Sequence, residues 1–272
     1  MEIRLGGFSF RYIASQPRVI SDITIAVASG SCCAVLGPTG AGKTTFLSAI
    51  AGVLGAHHSA GVGQGEITIG KTNFRPMPQK ILFPLVGLTL QESQVMISGL
   101  RETVGDEIRF TLENIGLDSL QHEERVEHVM ESLGIQHLRE RKPTTLSGGE
   151  LQRVVLASLL VAQPAVLLLD EPINSLDAEA THRLIRILRS LHGSTTVLFT
   201  DCQVELAILA ADSVLVLEEG RKVFFGDKRS FLTSLPQLGH LLPTKNWQDV
   251  LHRLSKAKSI QSERLARVVG IS

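Results

Sequence analysis

Apolar positions along the chain follow two different rhythms. From residue 1 to 30 they approximate alternation, with Ile20, Ile23, Ile25 and Val27 in phase and Ser29-Gly30 as a turn. That pattern predicts short antiparallel strands. Residues 32–36, Cys-Cys-Ala-Val-Leu, are apolar without a break, the mark of a strand covered on both faces. A helix is predicted over 44–53, and further strands over 66–70 and 85–90. Between 93 and 162 helical spacing takes over, first across about 100–115 and then across 121–133. A third helix starts after Leu146-Ser147-Gly148-Gly149 and stops at Gln163-Pro164, where proline cannot continue it. Strand and helix then alternate: strand 165–169, helix 177–191, strand 195–199, helix 202–210. A hairpin of 213–217 and 222–225 turns at Glu219-Gly220. The fold class is therefore α/β, with a mostly parallel sheet, right-handed crossovers, N-terminal antiparallel strands and an inserted helical subdomain. The tail from about residue 227 is mixed, with a helix predicted over 247–269. No internal repeat, low-complexity tract or long heptad run is present.

The unbroken strand at 32–36 runs into Gly37-Pro38-Thr39-Gly40-Ala41-Gly42-Lys43-Thr44, followed by Thr45 and a helix. This fits G-x-x-x-x-G-K-[ST]. The glycines let the backbone curl so that successive N–H groups face phosphate oxygens, and the helix adds its positive N-terminal end. Lys43 would reach the β and γ phosphates and the Thr44 hydroxyl would ligate Mg²⁺. A second apolar run ends in Asp170-Glu171. A carboxylate at the end of a buried parallel strand lies at the carboxyl edge of the sheet, beside the phosphate loop. Asp170 is the candidate metal ligand and Glu171 the candidate general base. Together these predict a P-loop NTPase core that takes MgATP.

Composition narrows the remaining options. The 272 residues carry 27 basic and 27 acidic side chains, and aromatics make up 4%. There is no net pull toward nucleic acid and little base-stacking capacity. The three cysteines, Cys32, Cys33 and Cys202, lack metal-site spacing and read as small apolar thiols in a reducing compartment. The opening Met1-Glu2-Ile3-Arg4 is unlike a signal peptide. The most apolar stretch, 154–169, is too short to span a bilayer and is interrupted by Ser158, Gln163 and Pro164. A soluble chain whose membrane role runs through a partner is the expectation.

Leu146-Ser147-Gly148-Gly149-Glu150, placed before a helix and upstream of Asp170-Glu171, resembles the LSGGQ signature of ATP-binding cassette proteins. The resemblance covers residues 1 to about 228. It implies an ATPase whose Ser147, Gly148 and Gly149 serve the γ-phosphate on an opposing cassette. It also implies that Gln91 contacts Mg²⁺ and the attacking water, with its loop facing a transmembrane partner. Tyr12 is similar to the aromatic that stacks on adenine, a core tyrosine being the competing reading. Asn174-Ser175-Leu176-Asp177 resembles the loop that crosses between subunits, and Asp177 is equally a helix N-cap. The implied division is a RecA-like core over 1–92 and 163–228, a helical subdomain over about 93–162, and an extension over 229–272.

Two positions depart from the family. The signature glutamine is Glu150, with little consequence expected, because Ser147 and the glycine amides do the phosphate work. Where the family carries a histidine that touches the γ-phosphate, this chain reads Thr200-Asp201-Cys202. An ionised aspartate cannot donate to phosphate and repels it, so slow hydrolysis and a hetero pair with a stronger cassette are expected. Asp201→His would then raise turnover. The segment 102–117, Glu-Thr-Val-Gly-Asp-Glu-Ile through Phe110-Thr-Leu-Glu-Asn-Ile-Gly-Leu, is similar to energy-coupling factor ATPases and cobalt and nickel importers. It implies a peripheral subunit at the cytoplasmic membrane face, importing a vitamin or transition metal ion with a second cassette and a membrane scaffold. The alternatives are a non-transport soluble cassette ATPase, which co-purification with nucleic acid would reopen, and a regulatory cassette that binds ATP without turnover.

Overall fold

The structure is a computed structural model and describes residues 1–13, 15–54, 61–74, 85–90, 96–201 and 204–242. Among these lie ten strands and seven α-helices. Strands β1 (Ile3–Arg11), β2 (Ile20–Val27), β4 (Val62–Ile69) and β5 (Thr72–Phe74) form one antiparallel sheet in the order β2-β1-β4-β5. Strands β3 (Cys32–Leu36), β6 (Val86–Thr89), β7 (Val166–Asp170), β8 (Thr196–Thr200), β9 (Ser213–Glu218) and β10 (Arg221–Asp227) form the second. Its order is β10-β9-β3-β8-β7-β6, parallel except for β10.

The unbroken apolar runs follow from this layering. Cys32, Ala34 and Leu36 pack with Leu167, Leu169, Val197 and Phe199 on one face of the parallel sheet. Cys33 and Val35 pack with Leu168, Leu198 and Leu215 on the other. A strand with a core on each side has no polar phase. Burial also pushes the Cys33 thiol up to about 11 and raises Cys32 well above its usual value, so both stay protonated and unreactive. Cys202 lies outside the described residues.

The approximate alternation near the N-terminus has a specific cause. Asp22 adopts a left-handed backbone, φ 52°, and the β1–β2 register shifts beside it. The irregularity lets both Ile20 and Ile23 face inward.

Helix α1 (Lys43–Ile50) packs under the sheet with Phe46, Leu47 and Ile50. Between β6 and β7 come α2 (Val104–Asn114), α3 (His122–Leu133) and α4 (Gly148–Leu160), which bury Val104, Ile108, Leu112, Val126, Met130 and Val154 against one another and the core. Helix α2 starts four residues later than its apolar spacing predicts, because Thr103 caps it by accepting from the Asp106 amide. Helices α5 (Ala178–Ser190) and α6 (Val204–Ala210) complete the crossovers. The tail supplies an element that the pattern did not predict, α7 (Lys228–Leu238), whose Phe231, Leu235 and Leu238 join the same core. Among the described residues no helix is long and apolar enough to cross a membrane. The helix predicted over 247–269 lies outside the described residues.

At the β9–β10 hairpin, Glu219 and Gly220 both have positive φ, 47° and 74°, the signature of a two-residue primed turn. Gly220 donates to Ala41 O at 3.1 Å and accepts from Ser21 N at 2.8 Å. The turn therefore touches both the second strand and the phosphate loop.

Candidate functional site

Parallel register brings the functional ends together. Thr89 follows from pairing with Leu169, Asp170 pairs with Thr200, and Val35 pairs with Thr200 from the other side. The carboxyl ends of β3, β6, β7 and β8 thus form one edge, where open α/β sheets bind ligands.

On that edge the loop 37–42 has a backbone that only glycine supports at three places. Gly37, Gly40 and Gly42 have φ of 148°, 81° and 93°. A Cβ on Gly37 would stand 2.2 Å from Leu217 O. Ala41 N closes the curl onto Pro38 O at 3.1 Å. Lys43 is 7% exposed, and its ammonium donates to Gly37 O at 2.8 Å and Pro38 O at 3.1 Å. The cation is thus folded back over its own loop. Tyr12 is half-buried beside this helix: its hydroxyl meets Thr45 Oγ1 at 2.8 Å and its ring stands edge-on to Phe10.

Asp170 is 3% exposed and held from three directions. Oδ2 accepts from Thr44 Oγ1 at 2.7 Å, Oδ1 accepts from Thr200 Oγ1 at 2.5 Å, and its amide donates to Thr89 Oγ1 at 2.9 Å. Thr200 Oγ1 also accepts the Glu171 amide at 2.9 Å. One hydroxyl therefore sets both acidic residues. Sequence reasoning passed over Thr89 and Thr200; the available signal was a threonine ending each strand beside the acidic one. Glu171 sits in the left-handed region, φ 49°, a conformation that costs on the order of 1 kcal/mol and clusters at functional sites. Its carboxylate accepts from Asn174 Nδ2 at 2.5 Å. Asp201, 1% exposed, continues β8 and donates its amide to Val35 O at 3.3 Å. Gln91 lies outside the described residues.

The second helix terminus, that of α4, is built differently. Ser147 caps α4, and Glu150 three residues on returns its side chain, completing a capping box. The Ser147 amide and hydroxyl both donate to Glu150 Oε2 at 2.8 Å, and Arg141 donates to Oε1 at 3.0 Å. These bonds, the Ser147 amide first, hold the Glu150 carboxyl below the usual carboxylate range. Gly149 passes so close to Ser175 that a Cβ would stand 2.5 Å from its carbonyl. Gln152, another residue missed from sequence, donates to Pro172 O at 2.6 Å and accepts Ser175 N at 3.3 Å. Asp177 caps α5 by accepting Ala180 N at 2.8 Å.

A family model described as ABC transporter matches residues 20–174, which span the phosphate loop, the α4 terminus and the acidic pair. The chain belongs to the ABC transporter family. It carries that family's ATP-binding domain. It is 33% identical over 215 residues to a Pyrococcus horikoshii protein named, by inference, as an ABC transporter ATP-binding protein; the match takes in 78% of this chain and 79% of that one. A Saccharolobus solfataricus protein of the same inferred name is 32% identical over 227 residues, which is 81% of this chain. The chain spans only 42% of that relative's length. Among solved structures, cbiO1 of Clostridium perfringens, part of the ABC transporter complex cbiONQ, shares the cassette fold with TM-score 0.70 at 23% identity, over 88% of this chain and 97% of that one. A mixed sheet of mostly parallel strands with antiparallel N-terminal strands is thus the cassette architecture here.

Proposed function

We propose that this chain is the ATP-hydrolysing subunit of an ABC transporter, binding MgATP at residues 37–45 and working as one of a pair of cassettes on a membrane partner. One observation carries the reading. The Thr44 hydroxyl and the Asp170 carboxylate meet at 2.7 Å, beside a loop whose Gly37 and Gly42 leave no room for side chains and whose lysine folds over it. Two hard oxygen donors with little other protein ligation suit Mg²⁺, which keeps waters and shares its coordination with substrate phosphates. Thr44 and Asp170 would hold the ion, with Gln91 as a third contact. Its chemistry there is neutralisation of phosphate charge.

The rest of the work falls to side chains and backbone. Lys43 exchanges its carbonyl partners for β and γ phosphate oxygens. Tyr12 lies beside the adenine. Glu171 takes a proton from water as its oxygen bonds to the γ-phosphorus and the bond to the β–γ bridging oxygen breaks, leaving ADP and phosphate. Ser147, Gly148 and Gly149 cap the γ-phosphate of the facing cassette. Positioning and charge supply most of the barrier lowering.

The working division is a core over 1–92 and 163–228, a helical subdomain over 93–162 and an extension over 229–272. The resemblance at 102–117 favours energy-coupling import of a vitamin or transition metal ion, at the cytoplasmic membrane face. Asp201, buried at the sheet edge, favours a slow site and hence a hetero pair; in the limit it gives a regulatory cassette that binds ATP without turning it over. No nucleic-acid partner is invoked, in line with the charge balance.

The test is retention of a fluorescent ATP analogue with Mg²⁺. The unaltered chain binds it, and Lys43→Ala weakens binding at least about 100-fold, since a phosphate cation is lost. Equal binding by both chains overturns the reading.

A further inference from the structure

Resting on that reading, the α4 terminus shows a feature that its sequence concealed. A helix N-terminus attracts anions because its first amides lack intrahelical partners. In this chain an anion is already there. Ser147 has one amide proton and one hydroxyl proton to offer a phosphate, and both are donated to Glu150 Oε2 at 2.8 Å. The other carboxylate oxygen is taken by Arg141, whose second nitrogen holds Thr145 O at 2.7 Å. The Glu150 side chain is 20% exposed, and its two oxygens are engaged by different partners. It borders a cleft of about 190 Å³ whose lining includes Ser147, Gly149, Arg153, Ser175 and Asp177.

We propose that Glu150 sets the affinity of the composite site by acting as an internal competitor. Its carboxylate occupies the Ser147 donors that a γ-phosphate oxygen of the facing cassette takes, so closure of the pair requires its displacement. Two costs follow. The Ser147 bonds to the carboxylate must be exchanged, and the displaced negative charge must remain within a few ångströms of a phosphate. Arg141 moderates the second cost by keeping hold of the departing carboxylate. An amide at this position still accepts the Ser147 amide bond through its oxygen but carries no charge against the phosphate. The pair therefore closes less readily than its P-loop alone would allow, and Glu150 is a positioning residue for Ser147 rather than a spectator.

A purely capping role predicts the opposite sign. Removing a good cap partner would loosen the helix start and weaken the pair. The discriminating measurement is self-association of the full chain, in which a second copy stands in for the partner cassette because each copy carries both the phosphate loop and the α4 terminus, by sedimentation in saturating MgATP, in a Glu171→Gln background so that the closed state is not consumed. Glu150→Gln is expected to lower the protein concentration for half-association about tenfold, the loss of one poorly screened like-charge contact. Glu150→Ala, which removes the charge by a different route, shifts the same way and covers the case in which Glu150→Gln misfolds. An unchanged or higher midpoint in the folded variants, or no association at all, overturns the proposal. Lys43→Ala in the same background separates the two ideas. If it associates as well as the parent, the nucleotide reading itself fails; if it does not associate while Glu150→Gln matches the parent, only the competitor role fails.

Discussion

The phosphate loop and the α4 terminus are both helix starts that present backbone amides, yet they are built on opposite principles. At α1 the geometry comes from backbone that side chains would obstruct, at Gly37 and Gly42, and from a buried carboxylate held by the hydroxyls of Thr44 and the buried Thr200. The charge that lies over this loop is the Lys43 ammonium, which donates to the Gly37 and Pro38 carbonyls. At α4 the geometry comes from side chains near the surface, Ser147, Glu150 and Arg141, and an internal carboxylate fills the amide end. The contrast teaches that one terminus is prepared for an incoming anion, while the other must first release its own. Rigid and interior construction belongs to the first, adjustable and charged construction to the second.

Substitutions can break or sharpen this contrast. The largest effect is expected at Gly37→Ala. The new Cβ meets a backbone carbonyl at 2.2 Å in a left-handed conformation, so a loss of at least about 3 kcal/mol is expected in denaturant unfolding, together with loss of ATP-analogue binding. A mild effect there would mean that the loop is adjustable after all. Thr200→Val keeps shape but removes the hydroxyl shared by Asp170 and Glu171, costing about 2 kcal/mol and lowering hydrolysis about tenfold, read from melting and phosphate release. Unaltered hydrolysis would show that Thr44 and Thr89 alone align the acidic pair. Gln152→Ala on the α4 side should cost only about 1 kcal/mol, since its bonds lie half-exposed. A cost matching that of Thr200→Val would erase the distinction between the two constructions.

Much of this was legible because the relevant patterns are local. Residues 32–36 and 166–169 announce buried strands through unbroken apolar runs, and the spacing of Gly37, Gly42, Lys43 and Thr44 announces a tight loop leading into a helix. The contacts that set the acidic pair were not legible. Thr89 reaches Asp170 across 81 positions and Thr200 across 30, and a threonine ending a strand is ordinary by itself. Helix α7 escaped notice because Pro236 lies inside it, and proline normally argues against a helix interior. Glu150 was visible as a change from the expected amide, but only the shared use of both Ser147 donors gives the change a physical meaning.

The tight turn at Glu219-Gly220 sits in sequence far from the phosphate loop, yet Gly220 bonds to both Ala41 and Ser21, and a side chain there would collide with Val19 O at 2.0 Å. Two sheets and the loop at residues 37–42 thus share one junction with no slack. A descendant that lengthened this hairpin would have to rebuild all three in the same step, whereas the Gly70-Lys71 bend is tied only within its own sheet, Gly70 donating to Glu2 O at 2.7 Å. Diversity among such molecules should therefore accumulate at one bend and be shut out of the other.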